Sequence, residues 1–67
     1  MQDPILNQLA EIRRAAGLDV PSVAERAGVA PFSIDRWERF NVAPMLVNLR
    51  AWANALGYDL ALVKREG

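Results

Sequence analysis

Apolar residues recur at helical spacing in four short blocks of this chain, and only the last few residues change to alternation. In the first block Ile5, Leu9, Ile12 and Ala16 repeat at i, i+4, i+7 and i+11 with Leu6 beside them, which predicts an amphipathic helix of about three turns. Asp3-Pro4 reads as its start, since an N-cap aspartate accepts from the orphan amides and proline needs no N–H in the first turn, and Gly17 reads as its left-handed end. Leu18 is expected to pack back on it. Asp19 then offers a second N-cap, with Pro21 tolerated in the first turn of a helix whose apolar face is Val23, Ala24 and Ala27. Gly28 suits the positive φ of a chain reversal, and Val29 plugs the turn. Pro31 opens a third helix, with Ile34 and Trp37 as its buried side. Asn41 and Pro44 bar its continuation. Pro44 is expected to open a fourth helix with Leu46, Leu49, Ala53 and Leu56 as core stripe, Trp52 widening it and Gly57 ending it.

Two short helices joined by a turn of about three to four residues, the second with a mixed outer surface of Phe32, Ser33, Asp35, Arg36 and Arg39, form the helix-turn-helix pattern that places a helix in the DNA major groove. The ending differs. Leu60 and Leu62 alternate with Asp59, Ala61 and Val63, which is strand spacing. A lone strand leaves amides and carbonyls unpaired, and the simplest partner is its own copy across a two-fold axis. The expectation is therefore all-α: a compact four-helix helix-turn-helix domain over 1–57, and a tail over 58–67 that pairs as a strand across a homodimer through Leu60, Leu62 and Val63.

Sixty-seven residues make one domain near the lower size limit for folding without staples. Absence of cysteine and histidine removes disulfides, thiol nucleophiles, imidazole bases and nearly all transition-metal ligand sets. Ser22 and Ser33 have no histidine to activate them, and Asp35 with Glu38 at i, i+3 is better explained by packing, so neither an enzyme nor a cofactor is expected. Eight Lys plus Arg balance eight Asp plus Glu. Nucleic-acid binders are usually basic, but charge can be sorted by face, and a dimer doubles any basic stripe. No run of about 18 apolar residues occurs, and the first residues lack the basic and apolar regions of a signal peptide, so a soluble cytoplasmic protein without membrane contact is expected.

Laid out this way, Gly17-Leu18, Ala24, Gly28-Val29, Ile34, Trp37-Glu38, Pro44, Leu46, Leu49, Ala53 and Ala55-Leu56-Gly57, together with Arg13, follow a family pattern. The chain resembles the lambda-repressor/Cro-like (xenobiotic-response-element) family of helix-turn-helix DNA-binding domains over almost everything from Leu9 to Gly57. Its ending is similar to small members, including antitoxins of toxin–antitoxin pairs, whose C-terminal strand builds the dimer. The resemblance implies a structural pair of Glu38 with Arg13, with Trp37 in the core. It implies base reading by Pro31, Phe32, Asp35 and Arg36, and phosphate contacts from the start of the second helix, Val20 to Ser22, and from the loop Phe40 to Val42, which includes Asn41; Ser33, Arg39 and Arg14 are further candidate phosphate contacts on the polar surface. Arg36 suits guanine and Phe32 a thymine methyl. The chain departs from relatives at Val20, Ala30, Pro31, Phe32 and Phe40, where hydrogen-bonding or hinge residues are common. The function implied is a repressor that binds a palindromic operator on double-stranded DNA as a homodimer. The alternative is an antitoxin or adaptor that uses Phe32, Phe40 and Val42 to dock a protein partner, a toxin or another regulator.

Overall fold

The computed structural model describes residues 3–66. Four helices account for its regular structure: α1 (Pro4–Ala15), α2 (Val20–Ala27), α3 (Pro31–Arg39) and α4 (Leu46–Ala55). Local chemistry sets most of their ends. The Asp3 carboxylate accepts from the Ile5 and Leu6 amides at 2.8 and 3.4 Å, and the Asp19 carboxylate accepts from the Ser22 amide at 2.8 Å. At the far end of α2, Gly28 sits at φ 73°, which a side chain would resist, and the Val29 amide reaches back to the Ala24 carbonyl at 3.0 Å. The same backward bond closes α1 (Leu18 to Arg13, 3.1 Å) and α4 (Tyr58 to Ala53, 2.9 Å).

α3 and α4 begin differently. Ala30 and Met45 stand at their N-cap positions and supply no side-chain cap. Pro44 does not open α4: Met45 is extended at ψ 153°, and helical bonding starts with the Leu49 amide donating to the Met45 carbonyl. Proline suits the approach to a helix start as well as its first turn.

α2 is the hub, packing against both α3 and α4, while α1 packs on α3. Val23, Ala24, Ile34 and Trp52 are fully buried, joined by Leu6, Leu9, Trp37 and Ala53. The Trp37 and Trp52 rings lie 5.4 Å apart at 38°, within the range of a favourable tilted aromatic pair. Leu18, Val20, Val29, Leu49 and Leu56 pack around this centre.

Two expected stripes are rotated. α1 buries Leu6, Leu9 and Ala10 at i, i+3 and i+4, leaving Ile5 48% exposed; α4 buries Trp52 and Ala53, leaving Leu46 62% exposed. Each helix carries more apolar positions than the core accepts, and the large Trp52 ring decides which side of α4 turns inward. The tail differs more. From Tyr58 to Glu66 no strand forms, because a strand is defined by a partner and none exists among the described residues. Leu60 packs against the core edge, whereas Leu62 and Val63 stand free of it. No helix among the described residues is long and apolar enough to cross a membrane.

Candidate nucleic-acid interface

The outward side of α3 is held from behind. Ile34 is buried completely and Trp37 nearly so, and Glu38 is fixed by a two-pronged ion pair in which Arg13 Nε donates to Oε2 at 2.7 Å and Nη2 to Oε1 at 2.8 Å. The remaining Arg13 nitrogen, Nη1, donates to the Leu18 carbonyl at 2.9 Å. One guanidinium therefore ties α1, the turn after it and α3 together. The Glu38 hydrogen bond, opposed in part by burial, raises the Arg13 pKa further, so the guanidinium stays charged. The Arg13–Glu38 expectation and the buried place of Trp37 both match this arrangement.

On the outer side Phe32 and Phe40 are 62% and 65% exposed, with Arg36 between them at four-residue spacing. The three form a stripe about 12 Å long, given a rise of about 1.5 Å per residue. Arg36 has no ion-pair partner among the described residues. Arg39 does: its Nη2 lies 3.3 Å from Asp35 Oδ1, one helical turn back. That pair cancels the charge of one expected phosphate contact and occupies one expected base reader. Arg14, 60% exposed, lies 4.0 Å from Glu38 Oε1 and keeps most of its reach. Pro31 is exposed at the start of α3, and Ser33 is partly exposed beside it.

Three expected phosphate contacts are placed otherwise. The Val20 side chain packs against the core, as an apolar residue at a helix start above an apolar centre must. Ser22 gives both its hydroxyl and its amide to Asp19, which holds that carboxyl below its ordinary range; the hydroxyl bond contributes most. Since Pro21 has no N–H and the Val23 amide donates to the Asp19 carbonyl, the Val20 amide is the donor left at this helix start. Asn41 turns inward at φ 54° and accepts the Asp3 amide on its Oδ1, fastening the loop after α3 to the start of α1. That link spans 38 residues and uses the side chain expected from sequence to meet a phosphate.

No family model matches the chain, and no curated protein matches it. The reading of the site therefore rests on its chemistry. An unpaired guanidinium flanked by two exposed rings, on a helix immobilised from the other side, can lie in a groove that admits an α-helix and donate two parallel bonds to a guanine edge.

A second region lies away from the residues expected to form a site. Ile5, Leu46, Leu49, Arg50, Leu60 and Leu62 surround a groove of about 440 Å³ between α1, α4 and the tail. Its signal in the sequence is the surplus of apolar positions in α1 and α4, among them Ile5 and Leu46, beyond what one core accepts.

Proposed function

We propose that this chain is a DNA-binding transcriptional regulator of helix-turn-helix type, similar to the lambda-repressor/Cro-like family, that represses by occupying a palindromic operator as a homodimer. The observation that carries the reading is the open outer side of α3, where Arg36 is exposed and uncommitted while Ile34, Trp37 and Glu38 anchor the opposite side. In each half-site α3 enters the major groove, Arg36 contacts a guanine, and Phe32 lies against a thymine methyl. Arg14 and the Val20 amide face the flanking phosphates, a modest set that agrees with the zero formal charge. Two copies supply two such helices, with half-sites roughly one helical turn, about 10 base pairs, apart.

Titration of the chain with duplexes selected from a random pool, at two salt concentrations, tests this. Sequence preference and an affinity that falls with salt in proportion to the few phosphates neutralised are expected. Weak binding indifferent to sequence would defeat it.

A second reading has its own support. Phe32, Phe40 and Val42 are large, apolar and exposed, and Arg39 is neutralised by Asp35. A surface of this kind docks a protein as well as a nucleic acid, as an adaptor or antitoxin would require. The same titration separates the two.

A further inference from the structure

We propose that Phe40 is a further DNA contact, an apolar one made to a deoxyribose at the rim of the major groove, and that Asn41 is the positioning residue that holds it there. This rests on the operator reading above and adds a contact that does not depend on charge.

Phe40 closes α3: its amide donates to the Arg36 carbonyl at 3.0 Å, and its ring is 65% exposed. The next residue turns the chain. Asn41 sits at φ 54°, in the left-handed region where asparagine is among the few residues with a side chain that settle readily, and its Oδ1 accepts the Asp3 amide. Asp3 is itself pinned, its carboxylate by the Ile5 and Leu6 amides and its carbonyl by the Asn7 amide at 3.1 Å. The Asn41 Nδ2 is buried and meets no acceptor among the described residues. Neither end of this side-chain amide is therefore presented to a phosphate. It works on the loop instead, fixing the backbone beside Phe40 to the start of α1. A side chain held in place before contact loses less freedom on binding.

Position along α3 decides what Phe40 can reach. In helix-turn-helix docking the first residues of the recognition helix meet base edges, and Phe32, the second residue of α3, stands there with Arg36 one turn on. Phe40 lies two turns beyond Phe32, about 12 Å along the axis, against a major groove about 12 Å wide. With Phe32 at a base edge, Phe40 comes to the rim, where the duplex offers sugars between its phosphates. A phenyl ring donates no hydrogen bond to a phosphate, and it heads a run without charge: from Phe40 to Leu49 the chain has no Lys, Arg, Asp or Glu. Apolar area is what this edge of the site can give to DNA. That suits a chain whose eight cations are matched by eight acids, since affinity that charge does not supply has to come from contacts that salt leaves alone.

The full chain and the duplex it selects from a random pool supply the test. Phe40→Ala should weaken binding to that duplex about tenfold, while the slope of log affinity against log salt stays as in the parent, because no phosphate contact is lost. Phe40→Leu, which keeps an apolar side chain, should retain most of the affinity. Asn41→Gly tolerates the positive φ but carries no amide to hold Asp3. It should weaken binding about threefold and cost nothing further when added to Phe40→Ala, the non-additivity expected where one residue acts through the other. Urea midpoints read folding separately in each variant. Full affinity in Phe40→Ala, or a loss accompanied by a shallower salt slope, would overturn the apolar contact while the operator reading stands on Arg36. A lower urea midpoint in Asn41→Gly with unchanged affinity, or an Asn41→Gly loss that persists in full on Phe40→Ala, would overturn the positioning role. A parent chain that binds duplexes without sequence preference would defeat the operator reading and this contact with it.

Discussion

Along the outer side of α3 two rings, Phe32 and Phe40, bracket the guanidinium of Arg36, with Asp35 and Arg39 paired beside them; around α1, α4 and the tail, Ile5, Leu46 and Leu62 stand exposed about a groove whose charged lining residue is Arg50. Both surfaces expose large apolar side chains, so exposure alone does not distinguish them. Their support does. α3 is bolted to the core by Ile34, Trp37 and the Arg13–Glu38 pair, so its outer groups are presented in fixed geometry, as recognition of a rigid groove requires. The tail has no backbone bonds of its own beyond Tyr58, so it can adjust to an incoming strand. Rigid polar presentation beside adaptable apolar surface is the division of labour expected between reading DNA and joining copies.

The largest effect should follow from cutting the bolt. Glu38 is 6% exposed and Arg13 15%, so Glu38→Ala leaves a mostly buried guanidinium without its carboxylate, a loss of about 3–5 kcal/mol. A domain of this size has little more than that in total, about 3–5 kcal/mol. Urea denaturation followed by circular dichroism should find the variant largely unfolded at 25 °C. Replacing both partners by apolar residues, as in Arg13→Met/Glu38→Leu, should recover much of the loss. Retention of full stability in Glu38→Ala would show that α3 is held by Ile34 and Trp37 alone.

The other region should break without unfolding. Leu62 is fully exposed in the single chain, so Leu62→Asp removes no intrachain packing. Across a two-fold interface the loss is doubled: at about 1.5 kcal/mol or more per buried leucine, dimer affinity should fall about 100-fold. Sedimentation reads the affinity, and the urea midpoint of the dilute monomer should not move. A matching fall in monomer stability would place Leu62 in the fold and erase the contrast between the two regions.

How much of this was legible in the sequence follows the range of each signal. Asp3, Asp19, Gly17, Gly28 and Gly57 act within a few residues of themselves, and helix ends fell near them. Ile34 and Trp37 were readable because α3 is short and otherwise polar. α1 was not, since Ile5, Leu6, Leu9, Ala10 and Ile12 cover so wide an arc that only packing against α3 selects Leu6 and Ala10. Asn41 was beyond reach because its partner, the Asp3 amide, is 38 residues away. At the α2 start, Ser22 looked available to a phosphate, yet a carboxylate three residues earlier takes its donors first. The alternation in the tail predicts a strand that the structure does not form, because alternation sets which side chains share a face but supplies no partner for the backbone.

Smaller effects sharpen the α3 side. If Arg36 reads a guanine, Arg36→Ala should cost about 1–3 kcal/mol in operator affinity and relax preference at one base pair per half-site. Competition with single-base operator variants would show it. Asp35→Ala works in the opposite direction. It removes the carboxylate 3.3 Å from Arg39 and should lower fold stability by no more than about 0.5 kcal/mol, since the pair is exposed. It also frees a cation, so affinity for duplex should rise at low salt and the salt slope should steepen by about one phosphate per copy. Unchanged DNA binding in both variants would favour the protein-docking reading of Phe32 and Phe40.

The smallest effect lies at the start of α2. Ser22, through its hydroxyl and its amide, stabilises the charged form of Asp19 and lowers its pKa in the folded chain below the ordinary 3.8. A carboxylate whose folded pKa is depressed contributes stability that is present above the unfolded value and is lost as pH falls through the folded one. The cap should therefore hold α2 at neutral pH and weaken only below pH 3.8. Asn also caps helices but cannot ionise, so Asp19→Asn should remove this pH dependence while keeping a cap. The difference in urea midpoint between the parent chain and this variant should be constant from neutrality down to that pH and shrink beneath it. Because the carboxylates elsewhere titrate equally in both proteins, subtraction isolates the one group. A difference that stayed constant into strong acid would mean that Ser22 is held by the backbone turn rather than by the charge, and that its hydroxyl is free to reach a phosphate after all.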